Sequence, residues 1–178
     1  MNEPRWSESS TGLACLDDAA RDDPAFNIRL GAYYPTGHAL FMLASPEEAK
    51  AVAAVLPRVG TNAGGHPEAR LLTPEATARF MQQALDEGGL LAGIVAAEAK
   101  QTKMLLELAR AGHAMLAVRI DDEAHKDAIV AALGERRVPK ALYYHTLAIE
   151  ELPVSIDAAP GSDVYGMNER PREEAPRR

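Results

Sequence analysis

The chain has 178 residues, enough for one domain with a substantial core. Apolar residues make up 47% and charged residues 25%, the balance of a soluble globular protein, and a formal net charge of −7 argues against nucleic-acid backbones and anionic membrane surfaces as partners. A single cysteine, Cys15, excludes an intrachain disulfide framework and a cysteine-based zinc site.

Residues 1–30 mix Ser, Asp, Pro and Arg without steady periodicity and read as a flexible arm, with a short helical turn around Leu13–Ala20. Glu3, Glu8, Asp17, Asp18, Asp22 and Asp23 leave no basic start or apolar run of a secretory signal, so a cytoplasmic location is expected. The longest apolar stretch, Gly88–Ala97, is ten residues. A bilayer span needs about 20.

A single α+β domain is expected over residues 31–152. After Tyr33-Tyr34-Pro35-Thr36-Gly37, the run His38–Ala44 reads as a buried strand. Ser45-Pro46-Glu47-Glu48 is a helix start, with a cap, a proline at the first position and a capping-box glutamate. That helix runs to about Val59. A Gly- and Asn-rich loop over residues 60–67 follows, then a short strand, Glu68–Leu72. Thr73-Pro74-Glu75 opens a helix to about Leu85, Gly88-Gly89 breaks it, and a longer helix covers Leu90–Ala111 up to Gly112. His113–Ile120 is the third strand. Asp121-Asp122-Glu123 starts a helix ending before Gly134, and Ala141–Glu150 is one final strand. Residues 153–178 hold four prolines, two glycines and nine charges and are expected to be a disordered tail.

Two stretches repeat. Gly37-His38-Ala39-Leu40 matches Gly112-His113-Ala114-Met115, and the helix Ala51–Leu56 matches Ala128–Leu133. Two strand–helix–strand halves (residues 37–72 and 112–150), interlocked by right-handed crossovers, predict a ferredoxin-like four-stranded antiparallel sheet with helices on one face. An inserted helical hairpin, residues 74–111, joins the halves. The alternative is a three-layer sandwich in which that hairpin covers the other face. The hairpin, a symmetric partner or both would cover the face left open.

Three segments carry a family resemblance: Tyr34–His38, Ala109–Val118 and Tyr143–Leu152. From Tyr34 to Leu152 the chain resembles a family of uncharacterised bacterial proteins and, distantly, the heat-induced general stress protein domain. The resemblance implies a cytoplasmic, stress-associated role. It implies no reaction and supplies no catalytic residues.

No phosphate loop, dinucleotide fingerprint, His-Glu-x-x-His or Gly-x-Ser-x-Gly string occurs. No catalytic residue, metal site or cofactor is therefore assigned. Cys15, in the arm, is a poor nucleophile candidate. The candidate ligand-binding residues are His38 and His113, at equivalent strand starts, with His145, Tyr34 and Tyr144. Imidazole binds metals and moves protons near neutral pH, and paired tyrosines line pockets or contacts. The simpler reading makes the histidines sheet-edge caps and the tyrosines strand packing. His38 and His113 should also sit at opposite sheet ends, which opposes a joint metal site. His66 lies in the Gly-rich loop, and His125 on a helix near Asp121 and Asp122. Arg136, Arg137 and Lys140 form the one compact basic cluster of the body, without the basic-aromatic strand pattern of RNA recognition.

The leading expectation is a non-enzymatic, cytoplasmic, stress-linked interaction or regulatory module, homodimeric, binding neither nucleic acid nor membrane. The alternative is a small-ligand or metal-binding sensor or enzyme using His38, His113 or His145 with nearby tyrosines.

Overall fold

The computed structural model describes residues 7–8, 14–16, 28–29, 32–33, 35–56, 69–87, 96–134, 136, 138–146, 148–156 and 164–166. The elements in chain order are β1 (Ser7–Glu8), β2 (Ala14–Leu16), β3 (Ile28–Arg29), β4 (Ala32–Tyr33), β5 (His38–Leu43), α1 (Pro46–Val55), β6 (Ala69–Leu72), α2 (Pro74–Glu87), α3 (Ala96–Arg110), β7 (Ala114–Arg119), α4 (Glu123–Leu133), β8 (Lys140–Tyr144), β9 (Ala148–Glu151) and β10 (Val164–Gly166).

The protein is α+β. Five strands form an antiparallel core in the order β6-β7-β5-β8-β9, with four helices among the described residues. β1-β2 extends one side of the sheet, with β2 parallel to β6, and β10 extends the other, antiparallel to β9. β3 and β4 form a separate two-stranded pair. The eight-stranded order is therefore not that of the four-stranded ferredoxin-like sheet expected.

A main cause of the difference is the stretch expected to be one strand, Ala141–Glu150. It is a hairpin: the His145 N–H donates to the Ala148 carbonyl at 2.8 Å, and β9 folds back with Tyr144 opposite Ile149 and Leu142 opposite Glu151. β1 to β4 lie mostly in the segment expected to be an arm, and β10 in the segment expected to be a tail; these residues are strand-paired.

The near-continuous apolar sequence of β5 suits a strand covered on both faces, since successive side chains alternate. Leu40 and Met42 pack with Leu72, Phe80, Met81, Leu105 and Met115 beneath α2 and α3. Ala39, Phe41 and Leu43 pack with Val52, Leu71, Leu116, Ile129 and Leu133 beneath α1 and α4. Three layers result, and the α2–α3 hairpin covers the face that helices on one side alone would leave open. Packing continues past Leu152: Val154 and Ser155 are buried, and the Ser155 hydroxyl accepts from the Ala141 N–H at 2.7 Å.

The helix starts form as their sequences direct. Ser45 Oγ accepts from the Glu48 N–H at 3.2 Å, while the Glu48 carboxylate reaches back to the Ala44 N–H at 2.8 Å. Asp122 caps α4 by accepting from the His125 N–H at 2.8 Å. α1 ends earlier than expected, at Val55, and the described part of α3 begins at Ala96. No helix among the described residues is long and apolar enough to cross a membrane.

Candidate functional site

The hairpin β8–β9 returns Glu150 to a position opposite Tyr143, on the face covered by α4. α4 carries Lys126 over that pair. The Lys126 ammonium lies 2.8 Å from Glu150 Oε2 and 2.6 Å from Glu123 Oε1, and 5.5 Å from the centroid of the Tyr143 ring. His145, where the hairpin turns, places Nε2 2.8 Å from the same Glu150 Oε2. Its ring meets Tyr143 edge-on, centroids 4.4 Å apart. One carboxylate oxygen thus accepts from an ammonium and an imidazole together.

Burial sets the electrostatics. The Lys126 side chain is only 8% exposed, against 69% for Glu123. Burial of Glu150 pushes its pKa up, but the hydrogen bonds from Lys126 and His145 outweigh that and hold its carboxyl below the ordinary range. Burial of Lys126 pushes its pKa down, and the bonds to Glu123 and Glu150 reverse this, leaving the ammonium raised. For Tyr143, burial raises the phenol, Lys126 opposes, and Glu123 and Glu150 add to the rise, which wins. All three groups are held in the forms they adopt at neutral pH.

Because a carboxylate only accepts, His145 Nε2 carries a hydrogen, and in the neutral ring Nδ1 is then the acceptor. The ring is 34% exposed.

Of the other candidates, His38 and Tyr144 lie at adjoining ends of β5 and β8, and His113 lies apart from them. His38 is buried at the start of β5, and its Nδ1 donates to the Thr36 carbonyl at 3.1 Å across the turn that Gly37 makes at φ +76°. The Gly37 N–H donates to the Tyr144 carbonyl at 2.7 Å, just beyond the Ala39–Tyr143 pair that ends the β5–β8 ladder. Tyr144 is buried in the α2–α3 side of the core, away from the Lys126 side. His113 ends α3 rather than facing a site: its backbone N–H and its Nδ1 both reach the Leu108 carbonyl, at 3.1 and 2.9 Å. The β5–β7 ladder runs from His38 opposite Arg119 to Leu43 opposite Ala114, which separates His38 and His113 by about 20 Å of strand. They share no site. Tyr34 and His66 lie outside the described residues. His125 accepts at Nδ1 from the Asp121 N–H at 3.3 Å beside its own cap.

Sequence reasoning missed Lys126, Glu123 and Glu150. Lys126 alone reads as a solvated helix residue, and Glu150 reads as a strand end. A cue was present in Tyr143-Tyr144-His145-Thr146, where a polar pair interrupts the apolar run.

Among the described residues no group of three or more His, Cys, Asp or Glu side chains is arranged to hold a metal ion. No protein-family model, curated protein or solved structure matches the chain.

Proposed function

We propose that the chain is a non-enzymatic, cytoplasmic interaction or regulatory module that self-associates as a homodimer. The observation that carries the non-enzymatic part of this reading is the double engagement of Glu150 Oε2 by Lys126 and His145. A general base needs an open lone pair and a pKa near the working pH. Here one carboxylate oxygen takes two donors and the group is held low, which suits a brace between α4 and the hairpin more than a base. Both sheet faces are covered, so the proposed self-association would use a sheet edge or the outer helix surfaces. The stress association rests on the family resemblance of the three segments alone.

A second reading has one observation in its favour. In the neutral ring the Glu150–His145 dyad fixes the imidazole tautomer and leaves Nδ1 as an acceptor on a part-exposed ring beside Tyr143. That geometry suits a small ligand with a hydrogen-bond donor. Two measurements separate the readings. Light scattering over a concentration series should show a dimer; a strict monomer throughout rejects self-association. A small-molecule thermal-shift screen should give no saturable shift; a saturable shift abolished in His145→Ala replaces the module reading with ligand binding.

A further inference from the structure

We propose that the outer edge of β9 is a strand-addition site, filled in cis by β10, that takes an extended peptide of a partner protein with the β-branched–aromatic–glycine order of Val164-Tyr165-Gly166. The inference rests on reading the chain as an interaction module and names how it would hold a partner.

Three observations carry it. First, β9 is positioned without help from β10. On its inner edge it pairs with β8 through Leu142–Glu151, Tyr143–Glu150 and Tyr144–Ile149. Successive side chains then fasten both of its faces: Glu150 is bound by Lys126 of α4 on one, and Glu151 by Lys140 of β8 on the other, at 2.5 Å. Ile149 and Leu152 are buried. Second, β10 has only three pairings, Val164–Glu150, Tyr165–Ile149 and Gly166–Ala148, all of them with β9. So short an edge strand belongs to the least stable part of a sheet and opens locally at low cost. Third, a strand edge that keeps its shape when its neighbour leaves presents a ready row of N–H and C=O groups, the template that strand addition uses. β10, paired there in antiparallel register, shows that the edge accepts a strand.

The occupancy of β10 sets the apparent affinity for a peptide in trans, because only the open fraction binds. The test uses a fluorescein-labelled peptide of residues 160–170, titrated with the full chain and with the full-length variants Tyr165→Pro and Gly166→Pro. In an antiparallel ladder alternate residues turn their N–H toward the partner, so one of the two prolines removes an inward donor whichever phase β10 adopts. That variant should bind the peptide at least about tenfold more tightly than the natural chain, since its edge is open. A scrambled peptide should bind none of the three. Equal affinity for all three chains places the peptide elsewhere and overturns the proposal, as does binding no better than the scrambled control. Absent peptide binding with a dimer still present in light scattering removes the edge site alone. A strict monomer that still binds peptide more tightly in a proline variant keeps the edge site and removes self-association.

Discussion

Glu150 Oε2 is a hub, and its removal should cost more than any single bond suggests. Taking Lys126 away leaves a part-buried carboxylate with His145 as its remaining side-chain donor in the cluster, and taking Glu150 away leaves a nearly buried ammonium with the exposed Glu123. Each of Lys126→Met and Glu150→Gln should destabilise by about 1–3 kcal/mol. In a double-mutant cycle read by urea denaturation their coupling should be about 1 kcal/mol or more. Glu123→Gln should cost under about 1 kcal/mol, because water screens that partner. Additive losses in the cycle would show that the brace contributes nothing as a unit. The same groups set the pH limits. Glu150 is held below its ordinary value, so its contribution is present above the ordinary carboxyl range, about 4.3, and fades as pH falls through the depressed folded value. Lys126 and Tyr143 are both raised, so their contributions are present below about pH 10 and fade as pH rises through the raised folded values. Thermal melts across pH should therefore lose less on the acid side in Glu150→Gln than in the natural chain. Tyr143→Phe should flatten the alkaline side.

At the scale of single elements, the helix ends test how far local chemistry decides structure. Ser45 and Asp122 each satisfy an N–H that the helix itself leaves open. Replacing either with Ala should cost about 1 kcal/mol, and the two losses should add, since the caps belong to separate helices on separate halves. A denaturation midpoint unchanged in Ser45→Ala would mean that the Glu48 contact to Ala44 holds the α1 start alone. These starts and stops were legible because each rests on one residue and its near neighbours: Ser45, Asp122, and Gly112 at φ +97° beyond α3. The β8–β9 turn was not legible. Residues Ala141 to Glu150 read as one strand, and although the polar pair His145-Thr146 interrupts it, the turn holds no Gly, Asn, Asp or Pro to mark a reversal. Missing the turn hid the site, because only the reversal brings Glu150 back to Tyr143 and under Lys126. His38 and His113 attracted notice by their repeat positions, yet equivalent places in a repeat fix equivalent backbone duties, a turn bond at one and a helix end at the other.

For the molecule as a whole, β5 is the element that the two layers of core share. Its even-numbered side chains from Leu40 on serve the α2–α3 side and its odd-numbered ones the α1–α4 side, so neither helical layer is complete without the other's strand. The repeat explains the α1–α4 layer, where each half supplies one helix. It does not explain the α2–α3 layer, which belongs to neither half and was expected as a joining hairpin, with the covering of the other sheet face as the alternative. Whether the hairpin is an accessory or part of one cooperative unit follows from where the buried volume lies. Phe41 faces one layer and Leu105 the other, and both are essentially fully buried. Leu105→Ala should cost about 2–5 kcal/mol and Phe41→Ala about 3–5 kcal/mol, from lost burial and the cavity left behind. If β5 couples the layers, each variant should still unfold in one transition, with far-ultraviolet circular dichroism and near-ultraviolet tyrosine signals coincident. If the hairpin were an independent cover, Leu105→Ala would release α2 and α3 first, and the helical signal would fall in two steps rather than one. The fully buried Met42 and Met115, which join the sheet directly to the hairpin layer, favour the single transition.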